Sequence, residues 1–283
     1  MTLIDVLLPF YGDPALMRLA VKSVLEQDTA DWRLVIVDDG YPDATTVDWL
    51  ASLEGPQVAY VRNEQTLGVN DNFRRALSLA TADHVVFMGC DDLMEPSYIR
   101  AVRRALEQHP DTAIVSPGVE VIDGAGRATE PLVDRVKRHL RPRVGAPTRL
   151  AGEDALVSLL DGNWTYFPSL CWRRDLITDI DFRPDYGVVL DLALLVDVLV
   201  AGGDLLVIPD RVFRYRRHAA SESSTKTVHG ARFDEERQYF DTIANELERG
   251  GLRRAARAAR SHFTSRLHAA ALMPAAARAR DRT

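Results

Sequence analysis

The stretch Leu34-Val35-Ile36-Val37-Asp38-Asp39-Gly40 decides the fold class, because it reads as a buried strand that ends in two acids and a glycine. A short apolar run that stops at turn residues is typical of a strand covered on both faces. Residues 84–88 form a second run of this kind and lead into Gly89-Cys90-Asp91-Asp92. Helical spacing of apolar residues lies between the runs. This alternation predicts an α/β fold: a mostly parallel sheet with helices on both faces.

The same patterns extend along the chain. Strands are predicted at residues 4–8, 34–37, 58–61, 84–88, 113–116, 119–122 and 170–172, with a strand pair at 205–208 and 212–215. Helices are predicted at residues 14–27, 45–53, 96–108, 154–160 and 188–201, after Gly68, and from residue 230 onward. Residues 127–149, rich in arginine and proline, read as a surface or mobile segment, and residues 135–149 read either as a lid or as a solvated basic loop.

Composition and charge exclude several classes of protein. The formal net charge of −6 argues against nucleic acid as the main partner. Two cysteines are too few for a disulfide framework and favour a reducing, cytoplasmic setting. No apolar run approaches the ~20 residues that span a bilayer, and the N-terminal residues lack the pattern of a signal peptide. We therefore expect a globular protein that does not cross a membrane.

Two pairs of acids follow predicted strands, at the sheet edge where ligands bind in such folds. The carboxylates of Asp38 and Asp39 are suited to accept hydrogen bonds from a nucleobase imide or a ribose hydroxyl, although acids also favour plain strand-ending turns. Asp91 and Asp92 are hard oxygen ligands for Mn²⁺ or Mg²⁺, which commonly share their shell with substrate phosphates. The alternative for this second pair is capping of the helix at Pro96.

Two further segments carry candidate chemistry. Asp191 lies in an otherwise apolar helix, where a charge is costly unless it faces a cleft, so it is a candidate general base. Asp197 on the same helix leaves open a plain solvated stripe. The basic segment Tyr215-Arg216-Arg217-His218 suits a diphosphate, and His218 is a candidate metal ligand; a solvated basic turn is the alternative.

The acceptor side and the C-terminal tail each allow two interpretations. Asn163 and Trp164 open an aromatic stretch that suits a sugar or an apolar acceptor group, and the alternative is an ordinary core cluster. The tail after Arg253 mixes arginine with alanine. A basic amphipathic helix of this kind rests on a membrane surface in some proteins, and the alternative here is a packing or homodimer helix.

Taken in order, these motifs resemble family 2 glycosyltransferases of the GT-A fold. The resemblance covers roughly residues 3–223 and rests on the motif around Pro9 and Tyr11, the acids at 38–39 and 91–92, Gly68 with Asn72, Asp191, and the segment 215–218. It implies a GT-A domain at 1–223, with a nucleotide-sugar-binding half at 1–117 and an acceptor-binding half at 118–223. A C-terminal helical extension follows at 224–283.

The resemblance also implies site roles. Pro9 and Tyr11 border the base pocket, and Asp39 contacts the base or ribose beside Asp38. Asn72 binds the nucleotide sugar, and Arg74 nearby helps with its phosphate. Asp91 binds the metal with Asp92 and His218, Asp191 is the base, and Arg216 and Arg217 close over the diphosphate. Three departures stand out: Gly89 where an acid is common, Leu190 where a second acid is common, and Phe73 where an arginine is common.

The function expected from the resemblance is inverting transfer of a sugar from a UDP- or dTDP-type nucleotide-sugar donor to a glycan, lipid-linked or small-molecule acceptor. Two rival functions are weighed against it. A sugar-phosphate nucleotidyltransferase normally carries a glycine-rich basic loop after its first strand, where this chain has Pro9-Phe10-Tyr11-Gly12. A non-catalytic nucleotide-sugar-binding or scaffold protein remains conceivable because of Gly89. A dehydrogenase is disfavoured because no Gly-x-Gly-x-x-Gly motif follows a strand.

Overall fold

The computed structural model describes residues 2–53, 55–217 and 231–261. The first half alternates between strand and helix, as predicted, except that the two-residue strand Leu93–Met94 follows the strand His84–Phe87 directly. Its elements are β1 (Ile4–Phe10), α1 (Pro14–Leu25), β2 (Trp32–Asp38), α2 (Ala44–Ala51), β3 (Val58–Arg62), α3 (Val69–Ser78), β4 (His84–Phe87), β5 (Leu93–Met94) and α4 (Tyr98–Gln108).

The second half is less regular. Its elements are β6 (Ile114–Ile122), α5 (Leu132–Leu140), β7 (Thr148–Ala151), α6 (Gly152–Asp161), β8 (Cys171–Arg173), α7 (Arg174–Ile180), α8 (Leu190–Val200), β9 (Asp204–Arg216), α9 (Ala231–Arg249) and α10 (Arg253–Ser261). A single 3₁₀ turn at Phe167–Ser169 precedes β8.

The strands form one sheet in the order β3-β2-β1-β4-β8-β6-β9-β5, and β7 pairs with β9. The first four strands in this order are parallel to one another, which confirms the prediction for the first half. The short β8 runs antiparallel between β4 and β6, so the whole sheet is mixed. Because two antiparallel steps restore direction, β6 and β9 end at the same edge as β1, β2 and β4.

Helices cover both faces of the sheet, as the alternation predicted. Successive side chains of a strand point to opposite faces: Ile36 belongs to the apolar cluster with α1 and α4, and its neighbours Val35 and Val37 belong to the cluster with α3, α6 and α8. Helices α9 and α10 join the second cluster through Tyr239, Ile243 and the alanines of α10.

Two predictions about the second half are wrong, and one helix is not predicted by the sequence pattern. The strand pair predicted at 205–208 and 212–215 is the single strand β9, and the strands predicted at 113–116 and 119–122 are the single strand β6, paired in parallel with β9. Prolines 117 and 209 interrupt the sequence pattern, but a bulge around Gly118 absorbs them without ending either strand. The segment 127–149 contains α5 and the start of β7.

The described part of the tail packs against the rest of the chain. Arg254 of α10 pairs with Glu153 and Asp154 at the start of α6. This supports the packing interpretation for α10, and residues 262–283, which carry the remaining membrane and homodimer expectations, lie outside the described residues. None of the helices in the described parts of the chain has both the length and the apolar character needed to cross a membrane.

Candidate active site

The ends of β1, β2 and β4 form one continuous rim at the predicted ligand edge. The Asp39 N–H donates to the Phe10 carbonyl over 2.9 Å, and the Phe10 and Tyr41 rings lie 4.9 Å apart between centroids. On the other side, a Cβ atom at Gly12 would lie 3.1 Å from the Cys90 Sγ. The loops after all three strands therefore touch each other, which confirms that they share one edge.

Of the two residues predicted to border the base pocket, Tyr11 lies in the loop that forms this rim. Tyr11 is 58% exposed, with its ring 5.8 Å from that of Tyr41 in an edge-on arrangement. Pro9 lies inside β1, opposite Val37, rather than in the loop. An exposed tyrosine next to a second ring offers a face on which a flat base can stack.

Asp38 shapes the turn after β2 from within the protein. It is fully buried, and its carboxylate accepts hydrogen bonds from the Tyr41 N–H and the Tyr60 hydroxyl, each over 2.7 Å. The Arg62 guanidinium lies 3.4 Å away. Burial and the hydrogen bond to Asp38 raise the pKa of Tyr60 well above its usual value. These contacts match the strand-ending-turn interpretation of Asp38.

Asp39 fixes the start of α3. Its carboxylate is 2% exposed and accepts from the Leu67 N–H at 2.8 Å, the Gly68 N–H at 2.9 Å and the Asn63 side-chain amide at 2.9 Å. A carboxylate offers about four acceptor positions, so three of them are already used. One position remains for the base or ribose contact that the resemblance implies.

Asn72 and Arg74 follow on α3, and neither side chain reaches the rim with its donors. The buried Asn72 donates to the Val37 carbonyl over 3.2 Å and accepts from Asn63 over 3.0 Å. Arg74 binds both Asp181 oxygens at 3.2 Å, and also Asp71 and the Phe182 carbonyl. In this arrangement Arg74 links α3 to the turn after α7. Its guanidinium is bound to protein oxygens and is not directed to a donor phosphate.

The acids after β4 differ from each other. Asp92 is buried, and its Oδ1 accepts the Arg216 N–H over 2.7 Å, while its Oδ2 has no hydrogen-bond partner among the described residues. Burial, with the charge of Asp91 second, raises the pKa of Asp92 well above its usual value. Asp91 is half-buried. The half-buried Asp91 is therefore the more exposed acid of the pair, and the buried Asp92 holds β9 through its Oδ1.

Gly89 explains how Asp92 turns inward. A Cβ atom at this position would lie 2.5 Å from Asp92 Oδ2 and 3.1 Å from Asp91 Oδ1. Such a distance is far inside van der Waals contact, so the conformation of Asp92 requires a glycine here. The departure from the family pattern is therefore a packing requirement as well as the loss of an acid.

The acid set gives only a partial fit to a metal ion. Among the described residues, no three His, Cys, Asp or Glu side chains converge as a metal-binding group, and His218, the remaining predicted ligand, lies outside them. Asp92 Oδ1 is already bound to the backbone of β9. Mg²⁺ is often held by one or two carboxylates together with substrate phosphates. The described residues therefore form no preformed metal cage, and a bound ion would be held by Asp91, the more exposed of the two acids.

Arg216 and Arg217 make internal contacts that differ from their predicted role. Arg216 is 2% exposed, donates from Nε to the Asp91 carbonyl over 2.7 Å, and donates from Nη1 to the carbonyls of Asp123 and Gly124. Arg217 binds the buried Asp134 of α5 through both Nε and Nη2. Neither guanidinium is directed to a diphosphate here, because each joins β9 to a neighbouring loop or helix.

The candidate base lies in the first turn of α8. The half-buried Asp191 accepts its own helix's Leu192 N–H at Oδ1 over 2.7 Å. The start of this helix is held from outside by Glu235 of α9, whose Oε1 accepts from the N–H groups of residues 187, 188 and 189 at 2.9, 2.5 and 3.0 Å. Negative charge is stabilising at a helix N-terminus, where N–H groups are unpaired.

Asp197, the rival acid on α8, has a structural partner. Its carboxylate binds Arg183 through two hydrogen bonds of 2.7 and 2.8 Å, and Arg183 also binds Glu246 of α9. These carboxylates raise the pKa of Arg183 above its usual value. The two acids of α8 are thus distinguished: Asp197 anchors the C-terminal helices, and Asp191 lies at the opposite end.

A hydrogen bond connects the start of α3 to the loop before α8, the helix that carries Asp191. The Asn70 side chain, in the first turn of α3, donates to the Tyr186 carbonyl over 3.0 Å. Asp39 fixes the start of α3, and Tyr186 lies in the loop that leads to α8. The candidate base loop and the candidate nucleotide rim are therefore held against the same helix end. Sequence reasoning missed Asn70 and Glu235, because their partners are distant in the chain and carry no pattern of their own.

A cavity of about 440 Å³ lies between α5, β6 and the turn before β8. Trp164 contributes to its lining but is 1% exposed, and its Nε1 donates to Ser158 over 3.1 Å, which matches the core interpretation. Asn163 accepts from the Thr165 N–H and hydroxyl and so stabilises the turn. Tyr166 donates to Asp134 over 2.9 Å on the cavity wall.

Comparison with known proteins agrees with this architecture. The family model described as glycosyl transferase family 2 matches residues 5–151, just over half of the chain. An uncharacterized protein of Mycobacterium tuberculosis is 27% identical over 262 residues, which cover 90% of this chain and 80% of that protein. The glucosyl-3-phosphoglycerate synthase of the same species is 27% identical over 218 residues, which cover 69% of this chain and 60% of the synthase.

Solved structures of S. aureus TarS share the fold. The TarS 1–349 complex with UDP-GlcNAc superposes with a TM-score of 0.66 at 16% identity, covering 86% of this chain and 67% of that one. The complex with UDP gives a TM-score of 0.61 at 14% identity, covering 87% and 72%. At such identities the likeness shows the fold alone, and it agrees with the GT-A type expected from the sequence. On the family model together with this fold, the chain belongs to glycosyl transferase family 2 and is a glycosyltransferase.

Proposed function

We propose that this chain transfers a sugar from a UDP- or dTDP-type nucleotide-sugar donor to an acceptor hydroxyl with inversion, using Asp191 as the general base. The observation that carries the proposal is the joined rim of β1, β2 and β4, which brings the exposed Tyr11, the buried Asp39 and the half-buried Asp91 to one edge. The TarS structures of the same fold were solved with UDP-GlcNAc and with UDP, which supports a uridine donor.

The donor base and ribose are assigned to the Tyr11 and Asp39 part of the rim. The Tyr11 ring supplies a stacking face, and the fourth acceptor position of Asp39 suits an imide N–H or a ribose hydroxyl. Uracil and thymine both carry that imide. The hydrogen bonds from Asn63, Leu67 and Gly68 hold the carboxylate before the donor arrives, so no reorganisation is needed on binding.

Asp91 is assigned to a Mn²⁺ or Mg²⁺ ion shared with the donor diphosphate. Such an ion neutralises charge that develops on the leaving diphosphate. Arg216 keeps the Asp91 loop in place by binding its carbonyl, and the Arg216 N–H holds Oδ1 of the neighbouring Asp92. The role of these two residues is therefore to position Asp91.

Asp191 is assigned the removal of the acceptor hydroxyl proton. Its placement in the first turn of α8, held by Glu235 and by the contact of Asn70 with Tyr186, supports this role. A positioned base contributes about 10²–10⁴-fold in rate. Asp191→Asn is expected to lower turnover by that factor and to leave nucleotide binding intact.

The experiment is release of nucleoside diphosphate by the purified chain over a panel of UDP-, dTDP- and GDP-sugars, with and without Mn²⁺. Asp197→Asn is the matched control, because Asp197 lies on the same helix but binds Arg183. We expect the control to lower the free energy of unfolding and to retain turnover per folded molecule. Near-wild-type turnover by Asp191→Asn would remove the base assignment, and preference for a GDP-sugar would remove the donor assignment.

A further inference from the structure

The cavity beside α5 lies outside the donor site described above. Two consecutive residues of the β9 end connect it to the rim: Arg217 binds Asp134, which lines the cavity, and Arg216 binds the Asp91 carbonyl. Its volume of about 440 Å³ falls within the range of small-molecule sites. The cavity wall and the loop that carries Asp91 are therefore held by neighbouring residues of the same strand end.

The charges on the cavity wall do not balance. Its acids are each paired: Glu130 with Arg138 at 2.6 Å, Asp134 with Arg217, and Glu120 with Arg214 at 3.4 Å. Arg141 and Arg211 also line the cavity, and neither forms an ion pair with any residue that the structure describes. The wall thus carries positive charge that none of the described carboxylates offsets.

The guanidinium of Arg141 is held in an arrangement that suits the binding of an anion. Its Nη2 donates to the carbonyls of Ser116 and Ile208, each over 3.2 Å, which fixes the plane of the guanidinium. Its Nε and Nη1 hydrogens have no acceptor within the described residues. The Arg141 side chain is half-buried, and this burial lowers the pKa of its guanidinium. A desolvated guanidinium without a counter-ion is costly, and an oxyanion would offset that cost through paired hydrogen bonds.

We propose that this cavity binds the oxyanion group of a small acceptor, a phosphate or carboxylate held by Arg141 with Arg211. The proposal rests on the proposed function, since it names the substrate class of the acceptor side. Lys137 adds to the site: its Nζ lies 4.7 Å from the Tyr166 ring centre and donates to the Thr165 carbonyl. The Arg217–Asp134–Tyr166 contacts keep α5 in place as the wall that carries Lys137 and leads into Arg141.

The test is calorimetric titration of the full chain with glycerol phosphate, glycerate and glycerol, in the absence of donor. We expect binding of one or both anions, no measurable binding of glycerol, and affinity that falls as salt is raised. Comparison of the two anions tells a phosphate site from a carboxylate site. Equal binding of glycerol and the anions, or no binding of either anion, would overturn the proposal.

Variants locate the binding. Arg141→Gln is expected to weaken anion binding about tenfold or more, as befits a hydrogen-bonded charge. Arg138→Gln is the matched control for charge, because Arg138 lines the same cavity but is paired with Glu130; it changes the net charge of the wall by the same amount and is expected to weaken binding clearly less than Arg141→Gln does. Arg211→Gln, at an exposed position, is expected to weaken binding about threefold, and it keeps the test decisive if Arg141→Gln does not fold. Unchanged affinity in the folded arginine variants would overturn the assignment.

Titration with UDP separates this proposal from the proposed function. Each variant that still binds UDP is folded at the rim, so a loss of anion binding there is local to the cavity. A wild-type chain that binds UDP but neither anion would contradict only the cavity proposal. A wild-type chain that binds the anions but neither UDP nor dTDP would contradict the donor assignment and leave the cavity site standing.

Discussion

The acid pairs after β2 and β4 look alike in sequence and differ in the folded chain. Asp38 and Asp39 are both buried, and hydrogen bonds from Tyr41, Tyr60, Asn63, Leu67 and Gly68 satisfy them. After β4, Asp92 has one buried oxygen without a hydrogen-bond partner among the described residues, and Asp91 is only half-buried. The first pair mainly builds the rim, and the second combines a buried acid with a more exposed one.

The difference shows that adjacent acids at a strand end can serve two purposes. A carboxylate that accepts several backbone N–H groups stabilises a loop, because each buried N–H would otherwise lack a partner. A carboxylate forced beside another in a poorly solvated place keeps an electrostatic cost that a bound cation relieves. Replacement of an acid after β2 should therefore lower the free energy of unfolding, and replacement of an acid after β4 should lower activity.

The largest expected effect is a loss of turnover when Asp91, after β4, is replaced. Asp91→Asn should lower the rate of UDP release from a UDP-sugar by about 10²–10³-fold, because loss of the carboxylate that shares the metal removes several kcal/mol of transition-state stabilisation. Its free energy of unfolding should equal or exceed that of the wild type, since one of two adjacent charges is gone. Steady-state kinetics with Mn²⁺ and urea unfolding measure the two quantities. A stable variant with undiminished turnover would exclude Asp91 from the site.

The next largest effect is a loss of stability when Asp39, after β2, is replaced. Asp39→Ala should lower the free energy of unfolding by about 2–4 kcal/mol, because three donors at the start of α3 lose their acceptor. Urea unfolding followed by circular dichroism gives this value. Asp43→Ala is the control, since Asp43 is an exposed cap of α2 and should cost only about 1 kcal/mol. A loss for Asp39→Ala no larger than for the control would mean that the contacts around Asp39 add little.

A smaller effect should arise at Gly89. Gly89→Ala should lower the free energy of unfolding by about 1–2 kcal/mol, because the new Cβ displaces the Asp92 carboxylate. In an Asp92→Ala background the same substitution should cost less, because the atom that it meets is absent. A double-mutant cycle of urea unfolding energies gives the coupling. Strictly additive effects would show that the close approach of Gly89 and Asp92 is not what excludes a side chain.

The smallest effect concerns the outer contact of the first pair. Tyr60→Phe should lower the free energy of unfolding by about 1 kcal/mol, since it deletes one hydrogen bond to the buried Asp38 carboxylate. Turnover should be unchanged, because Tyr60 does not reach the rim's exposed side. A clear loss of turnover at constant stability would instead give Asp38 a part in catalysis, and would weaken the contrast between the two pairs.

The sequence predicted the elements of the first half because their signals are local. Apolar runs at 34–37 and 84–88 and the helical spacing between them fix the strand order within each βαβ unit. The acids at the ends of these two strands are predicted as site residues because they directly follow the apolar runs. In the second half, β6 and β9 were each divided in the prediction, because prolines 117 and 209 end a local pattern while long-range pairing continues through a bulge.

The partners of site residues could not be predicted in the same way. Arg216 and Arg217 read as phosphate ligands, but they bind the Asp91 carbonyl and Asp134, and nothing local announces such contacts. The same holds for Glu235 at the start of α8. For Trp164 the sequence left two interpretations open, and burial with a hydrogen bond to Ser158 favours the core.

The most direct test of the central claim is a crystal structure of the chain with UDP and Mn²⁺. The account predicts uracil beside Tyr11 and Asp39, and the diphosphate held through the ion to Asp91. A nucleotide bound away from the ends of β1, β2 and β4, or a diphosphate with no ion and no contact to Asp91, would contradict it.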